Sequence, residues 1–335
     1  MSLNSTFTDG ICPNIQKGLD TIAGANTPEA KNSKDGLLQA LVSKENTNGV
    51  LQNAIDTKDG KKHYVDVTFI ARGTSSDIAS SCGSCTADDE VTPNSTLVDI
   101  DQCITTKNIQ FDETEMRKLC EADTEWISRV FQSKIDALRN ELDKRLITNI
   151  SSNFGEFSDG TTAVKSFQMI NSATSSANYL GEVSALDEFD KISASGKPIF
   201  VGAGNLNSYA MLQKIGCCNS GGTDLSGAGN FSFYKDYNVG SLLSNANDFV
   251  AFAPNSVQLL TYNKYKGSYK DDSRLLTRAI INDPTINLGY DFKLWFDTCT
   301  EKYIGNLSLR YKLFYIPSGA EGGVNNLLHM RATAA

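Results

Sequence analysis

The strongest apolar pattern in the chain runs from Asp112 to Asn149. Met116, Leu119, Cys120, Ile127, Val130, Phe131, Leu138, Leu142 and Leu146 recur at steps of three and four and form one stripe. No Gly or Pro falls between Ile109 and Phe154, so nothing in the covalent chemistry interrupts a helix there. The spacing predicts one helix over 112–149, roughly 55 Å long. Asp112 can cap its first turn, with Glu115 reaching back from three residues on. Glu113–Arg117, Glu125–Arg129 and Glu141–Arg145 stand four apart with the acid first, the better order for surface pairs. Arg139 falls on the side expected to face water. Trp126–Ile127, with Asp123 and Lys134, breaks any heptad register, so the helix reads as a strut rather than a coiled coil.

Two shorter stretches alternate with a period of two. Val65, Val67, Phe69 and Ala71 oppose Asp66, Thr68 and Arg72, and Leu97–Ile104 places Val98, Ile100 and Ile104 on one face. Between them Gly73–Thr96 is dominated by Ser, Thr, Asp and Gly. A loop of that size with no pattern of its own marks an interacting segment, and 60–110 reads as a long hairpin projecting from the body. Residues 1–58 are polar apart from helical patches at Lys34–Leu41 and Lys44–Asn48. They read as an arm that orders only against something else, such as another copy of the chain.

After the long helix, Ser151–Ser176 is small and polar. A helix follows at Leu180–Ile192 through Leu180, Val183, Leu186, Phe189 and Ile192. Next come a buried strand at Pro198–Val201, a short helix at Asn207–Ile215 closed by Gly216, and a Gly-rich loop from Cys217 to Asn230. These make a small α/β unit over 153–247. Strands follow at Phe249–Ala253, Val257–Tyr262, Tyr290–Phe296 and Leu307–Tyr315, the last two strictly alternating. A sheet with one apolar face needs a partner, and the stripe of the 112–149 helix supplies one. The fold class expected is α+β.

Composition adds limits. The 335 residues carry a formal charge of −8, which gives no global attraction to phosphate backbones. Charged residues are 21% and apolar residues 40%, the balance of a folded soluble chain. The opening MSLNSTFTDG has neither the basic nor the apolar region of a signal peptide, and no apolar run is long enough to span a membrane. In a reducing compartment the eight Cys need not pair.

Candidate chemistry is sparse. Gly202-Ala203-Gly204 sits between a strand and a helix as a dinucleotide turn would, but Asn207 holds the third glycine position and no acidic residue closes a second strand. A plain turn is the simpler reading. Cys82-Gly83-Ser84-Cys85 would need two further ligands for zinc, with Cys103 and Cys120 nearest in sequence; a redox-sensitive loop tip or free thiols are the other readings. The neighbours Cys217 and Cys218 could bridge only with strain. Two His, His63 and His329, are too few for a His-rich metal site. Lys61, Lys62 and His63 could meet the acidic cluster Asp88, Asp89 and Glu90 of another subunit. No acid, base and nucleophile converge, so neither an enzyme nor a cofactor is expected.

The order of polar arm, projecting hairpin, long helix, inserted α/β unit and final sheet resembles the major capsid proteins of tailed bacteriophages, the Hong Kong 97 fold. Local phrases such as Lys197-Pro198-Ile199-Phe200-Val201-Gly202 and Phe252-Ala253-Pro254-Asn255-Ser256-Val257-Gln258 are similar to segments of that family. The resemblance implies an N-terminal arm (1–58), an extended loop (59–111) and a peripheral domain made of the spine helix and sheet (112–152 and 248–320). It also implies an axial domain (153–247) and a C-terminal tail (321–335). It implies a virion shell protein that self-assembles into pentamers and hexamers around double-stranded DNA, held without sequence-specific binding and without a membrane. Portal, scaffolding or decoration proteins would be its other partners, and no large fused scaffolding segment is expected because the arm is short. An encapsulin-like compartment shares the fold and is the alternative; a nucleotide-binding enzyme is the rival from another class. Subunit contacts are expected at Val67, Phe69, Asp88, Asp89, Glu90 and Ile100 of the extended loop, and at Gly221 and Ser226 of the axial tip.

Overall fold

A computed structural model describes residues 19, 34–47, 51–56, 63–69, 94–112, 124–192, 196–219, 231–264, 269–271, 276–286, 288–316 and 326–334. Two short helices, α1 (Gly36–Val42) and α2 (Lys44–Thr47), precede strands β1 (Leu51–Asp56), β2 (His63–Phe69), β3 (Asn94–Asp99), β4 (Gln102–Thr105) and β5 (Ile109–Phe111). The long helix α3 (Thr124–Ser151) follows, then β6 (Lys165–Asn171), β7 (Ser176–Ala177), α4 (Tyr179–Lys191), β8 (Ile199–Gly202) and α5 (Gly204–Asn219). Next come β9 (Ser232–Lys235), α6 (Tyr237–Leu242), β10 (Asp248–Phe252), β11 (Val257–Tyr262) and β12 (Tyr269–Asp271). Strands β13 (Leu276–Asp283), β14 (Leu288–Asp297), β15 (Lys302–Tyr315) and β16 (Leu327–Ala334) complete the described chain.

The seven-stranded sheet runs β11-β15-β14-β13-β12, with β4 and β5 also paired to β15. Its alternation is the one expected: Tyr290, Phe292 and Leu294 on β14 and Leu307, Leu309, Tyr311 and Leu313 on β15 are buried. Helix α3 covers that face with Phe131, Leu138, Leu142 and Leu146, joined by Ile135, Ile147 and Ile150. The Phe131 ring meets Phe292 edge-on at 5.4 Å. Each such side chain contributes on the order of 2 kcal/mol when taken out of water. Residues 113–123 of the expected helix, with Met116, Leu119 and Cys120, lie outside the described residues, and Asp112 is an exposed loop position.

Four expectations about the chain's course need correction. First, Leu97–Ile104 is not one strand. It breaks at Ile100 because two cores compete for it: Val98 and Ile100 bury with Val65 and Val67, while Ile104 enters the main core. Strand β3 therefore joins β2 and β1 in a three-stranded antiparallel sheet, and β4 pairs β15 instead. Second, part of the presumed arm belongs to the body. Helix α1 buries Leu37, Leu38, Ala40 and Leu41 in the main core.

Third, the α/β unit is larger than 153–247. Its six-stranded sheet has the order β7-β6-β16-β10-β8-β9. Residues 248–252, expected in the other sheet, are its β10, and the expected tail 321–335 contains its β16. Strand β16 lies parallel to β6 and antiparallel to β10. Strand β6 itself falls in the stretch read only as small and polar; Phe167 and Met169 carry its short alternation. Strands β8 and β10 are buried throughout, which explains their unbroken apolar runs. Phe200, Phe249 and Ala251 face α4 and α5, while Ile199, Val201, Val250 and Phe252 face the α1–α3 core.

Fourth, two helices differ from their patterns. Helix α5 runs on through Gly216. Helix α4 is rotated: Leu180 and Val183 are exposed at 76% and 59%, and Glu182 and Glu188 are buried beside Ala185 and Phe189. The rotation follows from the partners of the two acids. The Tyr209 hydroxyl donates to Glu182, and Ser158 and Lys165 donate to Glu188.

Because β16 sits between β6 and β10, truncation after Ile316 is expected to give insoluble chain with exposed sheet edges. Soluble, cooperatively melting protein from that truncation would show that β16 is dispensable.

Candidate functional site

The sequence-derived contact residues separate into three groups. Val67 and Ile100 are covered by their own chain, packed with Leu260 and Tyr262 of β11, so neither offers surface to a neighbour. The apolar face expected to meet a neighbouring subunit is covered instead by the chain's own β11. A two-stranded ribbon is marginal alone, and here β11 supplies the cover. Phe69 closes β2 opposite Asn94. Asp88, Asp89, Glu90, Gly221 and Ser226 lie outside the described residues, as do Lys61, Lys62, Cys82, Cys85 and Cys120.

The glycine turn serves packing. A Cβ on Gly202 would stand 2.6 Å from that of Phe249, and Gly204 has φ +57°. The first turn of α5 is already engaged, since Asn205 N–H donates to the Asn247 side chain at 3.1 Å.

His63 stacks on Tyr262 at 4.4 Å. His329 stacks on Phe154 at 4.8 Å and lies 3.1 Å from Asp248. Arg331 and Ser244 also donate to Asp248, so that carboxylate ties the end of the sheet and aligns no nucleophile. Its pKa is lowered: burial opposes ionisation, but these donors outweigh it. Among the described residues no set of three His, Cys, Asp or Glu is placed to hold a metal, and no helix is long and apolar enough to cross a membrane. A surface groove of about 740 Å³ is lined in part by Cys103, Glu141, Lys144, Arg145 and Tyr311.

The unusual electrostatics lie inside. Arg139, expected to face water, is buried on α3 between Asp35 Oδ2 and Asp283 Oδ2, each at 3.3 Å, with half-exposed Asp136 as a third partner. Gln39 donates to Asp35 at 2.7 Å. One turn along α3, Asp143 Oδ1 accepts from Leu38 N–H at 3.0 Å, and Asp236 Oδ2 accepts from Leu37 N–H at 2.9 Å. Two carboxylates thus hold the start of α1, where the free N–H groups favour negative charge. Asp236 also caps α6 through Asn238 N–H at 2.8 Å, and the Asn238 amide reaches Asp143 and the Lys34 carbonyl.

One guanidinium cannot balance four buried carboxylates. Burial lifts Asp35 to about 6 despite Arg139, and lifts Asp283 as well. Burial and mutual repulsion lift Asp143, and burial lifts Asp236. Sequence reasoning missed this cluster because its members come from four separated segments. The one signal was Asp143 and Arg139, four apart and charged, on a helix otherwise read as amphipathic.

No protein-family model and no curated protein matches the sequence. Among solved structures, the chain is similar to one titled as the capsid asymmetric unit of cyanophage A-1(L). The match spans 91% of this chain and 94% of that one at 12% identity, with a TM-score of 0.51. The fold is shared with a phage capsid chain. Two other matches are the capsid of Ralstonia phage GP4 (9% identity, 92% and 94% covered, TM-score 0.45) and a structure from Mycobacterium phage Che8 (12%, 85% and 93%, 0.45). The α+β, Hong Kong 97-like class expected from the order of elements is the class observed.

Arg139→Ala leaves Asp35 and Asp283 buried without a cation. It is expected to cost about 3–5 kcal/mol and to lower Tm by on the order of 10 °C. Arg145→Ala, which removes an exposed pair with Glu141 and a 3.4 Å donation to the Cys103 carbonyl, should change stability by less than ~1 kcal/mol. Equal melting of the two variants would dismiss the cluster as a stabilising element.

A second expectation concerns pH. An acid whose folded pKa is raised favours folding only while protonated. Asp35 thus adds stability below its ordinary value near 4, lost as pH rises through about 6. The lowered pKa of His329, set by its burial, acts in the opposite sense, so the difference between proteins is the readout. Between pH 5 and 7.5, Asp35→Asn should lose less stability than the parent, by roughly 1 kcal/mol, the rest of the Asp35 contribution having been lost below pH 5. Parallel Tm–pH curves would remove Asp35 from that role.

Proposed function

We propose that this chain is the shell subunit of a tailed-phage capsid, assembling into pentamers and hexamers that enclose double-stranded DNA. The observation that carries the reading is the match of fold over nearly the whole of both chains, with the cyanophage A-1(L) capsid structure as partner. In this reading α3 with the seven-stranded sheet forms the peripheral body. The six-stranded sheet with α4–α6 forms the axial unit, enlarged by β10 and β16. The β1–β3 sheet and the residues between β2 and β3 form the extended loop.

The interior chemistry supports a wall rather than a catalyst. Buried charged side chains among the described residues are engaged by internal partners: Arg139 with Asp35 and Asp283, Glu182 with Tyr209, and Asp143 and Asp236 with the start of α1. The formal charge of −8 suits a wall that encloses DNA without gripping it. The virion is then its location, and portal, scaffolding and decoration proteins are its further partners.

The test is sedimentation velocity and negative-stain microscopy of the purified chain. Rings or closed shells are expected. A compact 36.4 kDa monomer at every concentration and salt would overturn the reading.

A further inference from the structure

Exposed large apolar side chains are unevenly distributed among the described residues. Apart from Leu97, they lie on the helices that cover the six-stranded sheet: Tyr179, Leu180 and Val183 on α4, Met211 on α5, Tyr237 and Leu242 on α6. Three within five residues at the start of α4 form a patch that its own fold leaves in water. The rotation of α4 that buries Glu182 and Glu188 is what turns Leu180 and Val183 outward.

The α4 and α6 patches stand toward opposite ends of one sheet. Helix α4 packs on β6, beside the edge strand β7, whereas α6 follows the other edge strand, β9, and packs on β8 and β10. They also cover opposite faces. Their polar surroundings differ in sign. Asp187 and Asp190 are exposed further along α4, with Lys191 engaging Asp187 at 2.6 Å. The Lys235 ammonium stands 4.8 Å from the Tyr237 ring centre, and the exposed Lys34 is tied to the next residue of α6, its carbonyl accepting from the Asn238 amide at 2.6 Å.

We propose that α4 of one subunit docks on α6 of a second copy, with Leu180 and Val183 against Tyr237 and Leu242 and the acids of α4 toward Lys34 and Lys235. The proposal rests on the shell reading and names one of its contacts. Pairing α4 with α4 would oppose acid to acid, and α6 with α6 would oppose the lysines; only the unlike pair joins complementary signs. Every copy carries one patch of each kind, so the contact is head-to-tail and repeats until a ring closes. Apolar burial supplies the attraction, and the modest charge difference selects the pairing.

The test compares assembly of the full chain with four variants by sedimentation velocity, negative-stain microscopy and far-UV circular dichroism. Leu180→Glu with Val183→Glu should leave helix content unchanged, because both side chains are exposed, and abolish rings. Asp190→Lys alone and Lys235→Glu alone should each raise the concentration needed for assembly at least tenfold, and both changes in one chain should restore it. If the Leu180/Val183 variant assembles like the parent, this contact is wrong while the shell reading stands. If that variant is monomeric but the exchanged charges give no rescue, the occupant of the α4 patch is not α6. A parent chain that is monomeric at all concentrations overturns the shell reading and this contact together.

Discussion

The fold depends on a charge held where water cannot reach it. Arg139 projects from the middle of α3 between Asp35, which immediately precedes α1, and Asp283, which ends β13. Three segments far apart in sequence meet at one guanidinium. Moving charges out of water costs several kcal/mol per ion, repaid only if geometry and further hydrogen bonds are good. Beside the guanidinium the start of α1 is held from two further segments, Leu37 N–H by Asp236 and Leu38 N–H by Asp143.

Around that point two layered units share one apolar interior. Helix α3 lies on the seven-stranded sheet, and one face of the six-stranded sheet enters the same core through Ile199, Val201, Val250 and Phe252. The other face makes a second core with α4 and α5. Strands β8 and β10, covered on both sides, are the hinge between the cores in the sense of packing, not of motion.

What was legible in the sequence followed from period. Strands β14 and β15 alternate cleanly because one face meets α3 and the other does not, and the buried runs of β8 and β10 announce cover on both faces. The α3 stripe was legible at Phe131, Leu138, Leu142 and Leu146 for the same reason. What failed was whatever depended on partners distant in sequence. Arg139 looks like a surface residue until Asp35 and Asp283 are brought to it. Leu180 and Val183 look like core until Tyr209 and Lys165 draw two glutamates inward in their place. Strand β16 reads as a tail because its pairing partners, β6 and β10, lie far back in the sequence, and the cover of Val67 and Ile100 was missed because β11 follows more than a hundred residues later. The loop contacts Asp88, Asp89 and Glu90 and the tip residues Gly221 and Ser226 lie outside the described residues.

The place of β16 carries a consequence for how the molecule is made. Lys165 on β6 finds its neighbour only when Met330 has been synthesised, and until then β6 and β10 each present an unpaired edge. Sheets closed by such distant pairings form slowly, and their open edges invite association with other unfinished chains. The helices that cover this sheet have no complete platform before the strand arrives. The surface proposed for docking through α4 and α6 is therefore complete only once β16 has joined the sheet.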